Sequence, residues 1–93
     1  MRDQHVKRIE QELRQTQQEL SAYLQEPGRH YNLETVHYIQ QELADVNRAL
    51  AKLQEGSFGM CEYSGQTIPM PLLEVLPTAR TIDDVEFVQY FRH

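Results

Sequence analysis

Positions at alternating three- and four-residue steps stand out through the first half of the chain. Val6, Ile9, Leu13, Thr16, Leu20 and Tyr23 form one series, and Val36, Ile39, Leu43, Val46, Leu50 and Leu53 form a second. Between them lie Gln, Glu, Arg and Lys. This spacing gathers each series on one helical face and is the a/d pattern of a coiled coil. It predicts helices over about 3–24 and 33–55. The interruption, 25–32, contains Pro27, which disfavours helical geometry at Glu26, and Gly28, which tolerates a left-handed turn. Asn32 is placed to cap the second helix, with Glu34 in its first turn where a carboxylate suits the dipole. The two series have equal length, so an antiparallel hairpin brings them into register. At about 1.5 Å rise per residue each arm is roughly 30 Å long. The same stripes allow an alternative, a four-helix dimer zipped between two chains.

After residue 55 the pattern changes. Gly56 and Gly59 flank Phe58, Cys61 and Ser64 bracket a tight turn, and Gly65 follows where a positive φ is suited. The arrangement reads as a treble-clef zinc knuckle whose Cys-x-x-Cys has become Cys61-x-x-Ser64. Further on, the aliphatic residues Ile82 and Val85 take the spacing of a second Cys pair. A structural zinc needs four donors, usually thiolate or imidazole, and this chain has a single Cys. Thr67–Pro69 suits a short extended piece, and Leu72–Leu76 a helical turn stopped by Pro77. Thr81 with Asp83 and Asp84 predicts the start of a last helix, about 82–92, carrying Val85, Val88 and a Phe87/Phe91 pair and folding back on the hairpin base. Phe58, Tyr63, Ile68, Leu72, Leu76, Ile82, Val85 and Val88 are the expected small core. The expected fold is therefore mostly α: a coiled-coil hairpin over 1–55, then a degenerate zinc-knuckle module with a C-terminal helix over 56–93.

Composition narrows the function classes. Ninety-three residues suit one small domain. A net charge of −5 argues against nucleic-acid binding, which needs a basic surface, and favours a protein partner. No apolar run has the length of a membrane span, and no apolar signal-peptide core follows the first charges. The single Cys suits a reducing compartment, so the expected location is cytoplasmic.

The run from Arg48 through Gly56-Ser-Phe-Gly-Met-Cys61-Glu-Tyr-Ser64-Gly-Gln-Thr-Ile68-Pro69, followed by Leu73-Glu-Val-Leu-Pro77-Thr-Ala79, resembles the DksA/TraR zinc-finger family. The motif likeness covers about residues 43–86, and the hairpin before it agrees in architecture. The resemblance implies a regulator of transcription that binds RNA polymerase, its hairpin entering the secondary channel and its globular end docking outside. Carried over by position, the zinc ligands fall on Cys61, Ser64, Ile82 and Val85, so the resemblance implies the fold without the metal; no cofactor is expected. Cysteine-poor relatives keeping the fold belong to the family picture. The family's Arg before Leu is Pro71 or Leu72 here. Its tip motif, Asp-x-x-Asp-x-Ala, is also missing: Pro27, Arg29, His30, Tyr31, Asn32 and Glu34 stand there instead and are the expected partner-binding residues. Polymerase binding, in a stress or developmental setting, is thus expected without the family's tip chemistry.

No enzyme constellation is visible. Cys61 sits beside Glu62, expected to raise its pKa, and reads as a packed residue. His30 and His37 lack the spacing of a helical metal pair. Asp83 and Asp84 are explained by capping. Two other functions compete with the regulator. One is an adaptor or self-assembling protein that buries Leu13, Leu20, Leu43 and Leu50 between chains. The other is a zinc-binding protein using Cys61 with His93 or other residues.

Overall fold

The structure, a computed structural model, describes residues 2–26 and 32–84. Two long helices dominate it, α1 over Arg2–Gln25 and α2 over Leu33–Glu55, followed by a short α3 over Met70–Val75. The bounds of α1 and α2 fall within a residue of those read from the periodicity. Neither helix contains Gly or Pro, and both are rich in Leu, Gln and Glu, which have high helix propensity.

α1 and α2 pack against each other as a helical hairpin. Ile9 and Leu13 on α1 meet Val46, Ala49 and Leu50 on α2, and Leu20 and Leu53 border the same cluster. The stripe is interrupted at Thr16, which is exposed; at the next residue, Gln17 Nε2 donates to Asn47 Oδ1 across the helices at 2.5 Å. Leu13 and Leu50, offered above as buried between chains, are already covered within one chain.

The ends of α2 follow from local chemistry. The Asn32 carboxamide oxygen accepts from the N–H of Glu34 and Thr35, at 3.0 and 3.2 Å. Those donors have no partner inside the helix, so the cap satisfies both. At the other end Gly56 adopts φ 82°, and its N–H returns to the Lys52 carbonyl. The left-handed conformation costs an L side chain energy that glycine avoids.

Residues 56–84 form a foot under the hairpin. An isolated antiparallel bridge joins Met60 to Thr67, with hydrogen bonds from Cys61 N–H to Gln66 O at 2.8 Å and from Ile68 N–H to Gly59 O at 2.7 Å. Ile68 and Leu73 are fully buried, and with Cys61 and Ala79 they continue the hairpin core into the foot. Phe58, Leu72, Leu76 and Ile82 pack around them as expected.

Two expectations for this half change, and a third falls largely outside the described residues. Tyr63 is not core: it stands on the crest of the turn, 93% exposed, because the bonds that close the turn use Cys61 on one side and Gly65 on the other. Its place is taken by Cys61, Leu73 and Ala79. The helical turn begins at Met70 rather than Leu72, with Pro71 in its first turn, where a missing N–H costs nothing. Of the last helix only 82–84 lies among the described residues; Val85, Phe87, Val88 and Phe91 lie outside them. Its start is capped as anticipated: Asp84 N–H donates to Thr81 Oγ1 at 3.3 Å, and the N–H groups of Arg80 and Thr81 donate to Asp84 Oδ2. No described helix is long and apolar enough to cross a membrane.

Candidate functional site

The turn around Cys61 is where a knuckle would hold its metal, and its thiol is the centre of a hydrogen-bond set. Gly65 N–H donates to the Cys61 carbonyl at 2.9 Å, closing the turn. The Cys61 Sγ then accepts from the N–H of Ser64 and from that of Ile82, both at 3.4 Å. Ser64 and Ile82 are two of the positions carried over as ligand sites. The structure therefore brings Cys61, Ser64 and Ile82 together, joined by N–H···S bonds, while Val85 lies outside the described residues.

These contacts reverse the expectation for the thiol. A hydrogen bond with the Ser64 side chain, followed by the Ser64 N–H, favours the thiolate more than burial opposes it, and the N–H groups of Ile82 and Tyr63 add to this. The Cys61 pKa falls to about 7. Glu62, which was expected to raise it, turns the other way. Its carboxylate takes a two-pronged contact from Arg48, Nε at 2.8 Å and Nη2 at 2.6 Å, and a third from Lys52 Nζ at 2.5 Å. Hydrogen bonds from Arg48 and Lys52 hold the Glu62 carboxyl at a pKa of about 2, and the Glu62 carboxylate in turn raises that of Arg48.

The donor set does not fit a structural zinc. The Ile82 side chain has no donor atom and the Ser64 hydroxyl is not among the thiolate, imidazole and carboxylate donors such a site uses, which leaves Cys61 as the one fitting ligand among the described positions of the set. Among the described residues no group of three or more His, Cys, Asp or Glu side chains is placed to hold a metal ion.

Ion pairs fasten the foot to both arms. Glu62 ties the turn to α2, and the Glu62 N–H donates to Arg80 O at 2.7 Å. Glu74 on α3 ties the foot to α1, through His5 Nδ1 at 2.6 Å and Arg8 Nη2 at 2.8 Å. Sequence reading missed these pairings. The partners are 14 and 66 positions apart, so no local spacing announces them.

At the opposite end, Pro27, Arg29, His30 and Tyr31 lie outside the described residues. Asn32 and Glu34 are placed at the start of α2, Asn32 as its cap and Glu34 exposed beside it. Leu33 is 82% exposed and Tyr38 62% exposed on the same helix. His37 takes a local contact from Gln41 four residues on, at 3.3 Å, the arrangement of an ordinary surface histidine.

Fold and site thus define a two-helix hairpin carried on a small foot whose turn is organised by a thiol. Three Bacillus subtilis (strain 168) proteins share sequence with this chain. An uncharacterized protein, YlyA, is 51% identical over 49 residues, which are 53% of this chain and 40% of YlyA. General stress protein 16O is 50% identical over 48 residues, 50% of this chain and 29% of that protein. The uncharacterized protein YteA is 36% identical over 72 residues, 69% of this chain and 30% of YteA. The chain therefore spans less than half the length of each. No family model matches the chain, and no solved structure does.

Proposed function

We propose that this chain is a non-catalytic regulator of transcription that binds RNA polymerase through its helical hairpin, with a foot that holds its shape without zinc. The observation that carries the reading is the joining of a two-helix rod to a knuckle-like turn whose ligand positions are linked by N–H···S bonds. The motif likeness to the DksA/TraR family covers that turn and supplies the partner. The stripe of apolar residues is spent on holding the arms together, so contact with a partner falls to the tip and the outer helix faces. The foot, fastened through Glu62 and Glu74, gives the rod a fixed base, which insertion into a channel requires.

Similarity to General stress protein 16O supports a stress setting for this activity. The net charge of −5 supports a protein rather than DNA as the direct partner. The test is co-purification of the full chain with RNA polymerase, repeated with substitutions at Arg29, His30, Tyr31 and Glu34. Weakened binding with an intact fold supports the reading. If those variants bind polymerase and affect transcription as the wild type does, insertion by the tip is wrong.

A further inference from the structure

The charges of the molecule are segregated. Between Arg14 and Arg48 the sequence contains one Lys or Arg, Arg29, against Glu19, Glu26, Glu34, Glu42 and Asp45. Nearer the foot, Glu10, Glu62 and Glu74 each meet a cation. Among the described residues no ion pair occupies Glu34, Glu42 or Asp83.

Two of these carboxylates share a surface with Tyr38 and with Asp45, whose charge also acts on Arg48. Glu34, Tyr38, Glu42 and Asp45 recur at four-, four- and three-residue steps, so they line one face of α2. Below Asp45 this face opens into a cleft of about 700 Å³ between α2 and the segment 76–84. Leu76 and Ala79 give the cleft an apolar element, Asp83 and Asp84 add carboxylates, and Arg80 is the cation among its described lining residues. Four carboxylates against one guanidinium leave the cleft net negative. Tyr38, 62% exposed, stands in the middle of the stripe.

We infer that this face, Glu34–Tyr38–Glu42–Asp45 continuing to Asp83, is the docking surface for a cationic segment of the protein partner, one bearing Arg or Lys. The inference rests on the reading of RNA polymerase as that partner and adds which face of the rod it grips and with what chemistry. An apolar occupant would strip water from several carboxylates without pairing them, which is costly. A nucleic acid would be repelled. A Lys or Arg side chain matches both parts of the surface. Its charge pairs with a carboxylate, its stem covers the partly exposed Leu76, and a guanidinium elsewhere in the segment stacks on the Tyr38 ring. Exposed aromatic residues among charges are also where binding energy concentrates.

The test measures binding of the full chain to purified RNA polymerase over a range of salt concentrations. The variants are a neutralised stripe, Glu34→Gln/Glu42→Gln/Asp83→Asn, an anchor deletion, Tyr38→Ala, and a control on α1, Glu12→Gln/Glu19→Gln, each checked for helix content and melting. Wild-type binding should weaken as salt rises. The neutralised stripe should lose about tenfold or more in affinity at low salt and lose much of the salt dependence. Tyr38→Ala should weaken binding at every salt concentration, and the control should bind like the wild type. A neutralised stripe that binds like the wild type overturns the inference and leaves the polymerase reading standing, as does an equal loss in the control. A wild-type chain that does not bind RNA polymerase overturns both.

Discussion

Cys61 shows how far a side chain's role depends on which way its neighbours face. Sequence adjacency to Glu62 suggested a raised thiol pKa, but Glu62 points to Arg48 and Lys52, and the thiol meets Ser64 and Ile82 instead. The Cys61 thiol, lowered to about 7, should therefore titrate near neutrality. Thiolate absorbance near 240 nm, corrected with a Cys61→Ala variant, should rise around pH 7 rather than near pH 9. The linked stability has a definite sign. A depressed folded pKa makes the contribution complete above the unfolded value and absent below the folded one, so Cys61 should add stability as pH rises from about 7 to 9. A melting temperature that changes equally over that range in wild type and Cys61→Ala would contradict it. Glu62 obeys the same sign rule in acid. Its folded pKa is about 2 against an ordinary 4.5, so its contribution is full above about pH 4.5 and disappears as pH falls toward 2. Glu62→Gln should be less stable than wild type at pH 7, and the difference should shrink on acidification. Because the group is partly solvated, about 1 kcal/mol or less is expected at neutral pH.

The ends of α2 carry measurable energy at the scale of the element. Asn32→Ala removes the acceptor for two N–H groups and should cost about 1 kcal/mol, seen as a lower denaturation midpoint with an unchanged slope. Gly56→Ala isolates the conformational cost. A Cβ there meets nothing within 4 Å, so its loss of stability, on the order of 1 kcal/mol, comes from φ 82° alone. The two long helices were legible in the sequence because the information is local: a repeat of three and four, a Pro-Gly interruption, an Asn at one end and a Gly at the other. The Thr81 cap was legible for the same reason. In the foot the elements are too short for periodicity to assign a face. Leu72 packs at the edge of the core, while Leu73, absent from the expected core, is fully buried at its centre. Tyr63 was read by its hydrophobicity, and the turn geometry placed it outside. The pairs of Glu62 with Arg48 and of Glu74 with Arg8 depend on the tertiary fold, so no reading of neighbours along the chain reaches them.

At the scale of the whole molecule the question is how much of the foot's stability the apolar core shared with the hairpin can supply. A structural zinc contributes roughly 10–16 kcal/mol of apparent binding free energy in isolated finger peptides, far more than any one aliphatic side chain. Here the foot is not isolated: Cys61, Ile68, Leu73 and Ala79 share one core with Ile9, Leu13, Val46 and Leu50 of the arms, and carboxylates tie it to both helices. Folding of foot and hairpin should accordingly be a single cooperative event. Leu73→Ala, at the centre of that shared core, should cost about 2–5 kcal/mol and lower the melting of both parts together. The same continuity bears on metal. Purified chain treated with a strong chelator should melt at the temperature of the untreated chain and show substoichiometric zinc by elemental analysis. If the chelator instead unfolds 56–84 while α1 and α2 persist, the foot depends on a bound ion and the shared apolar core is insufficient. A helical signal and the hydrogen-exchange protection of the Ile68 amide in the foot that are lost in one transition, unmoved by the chelator, fit a core that runs unbroken from arm to foot.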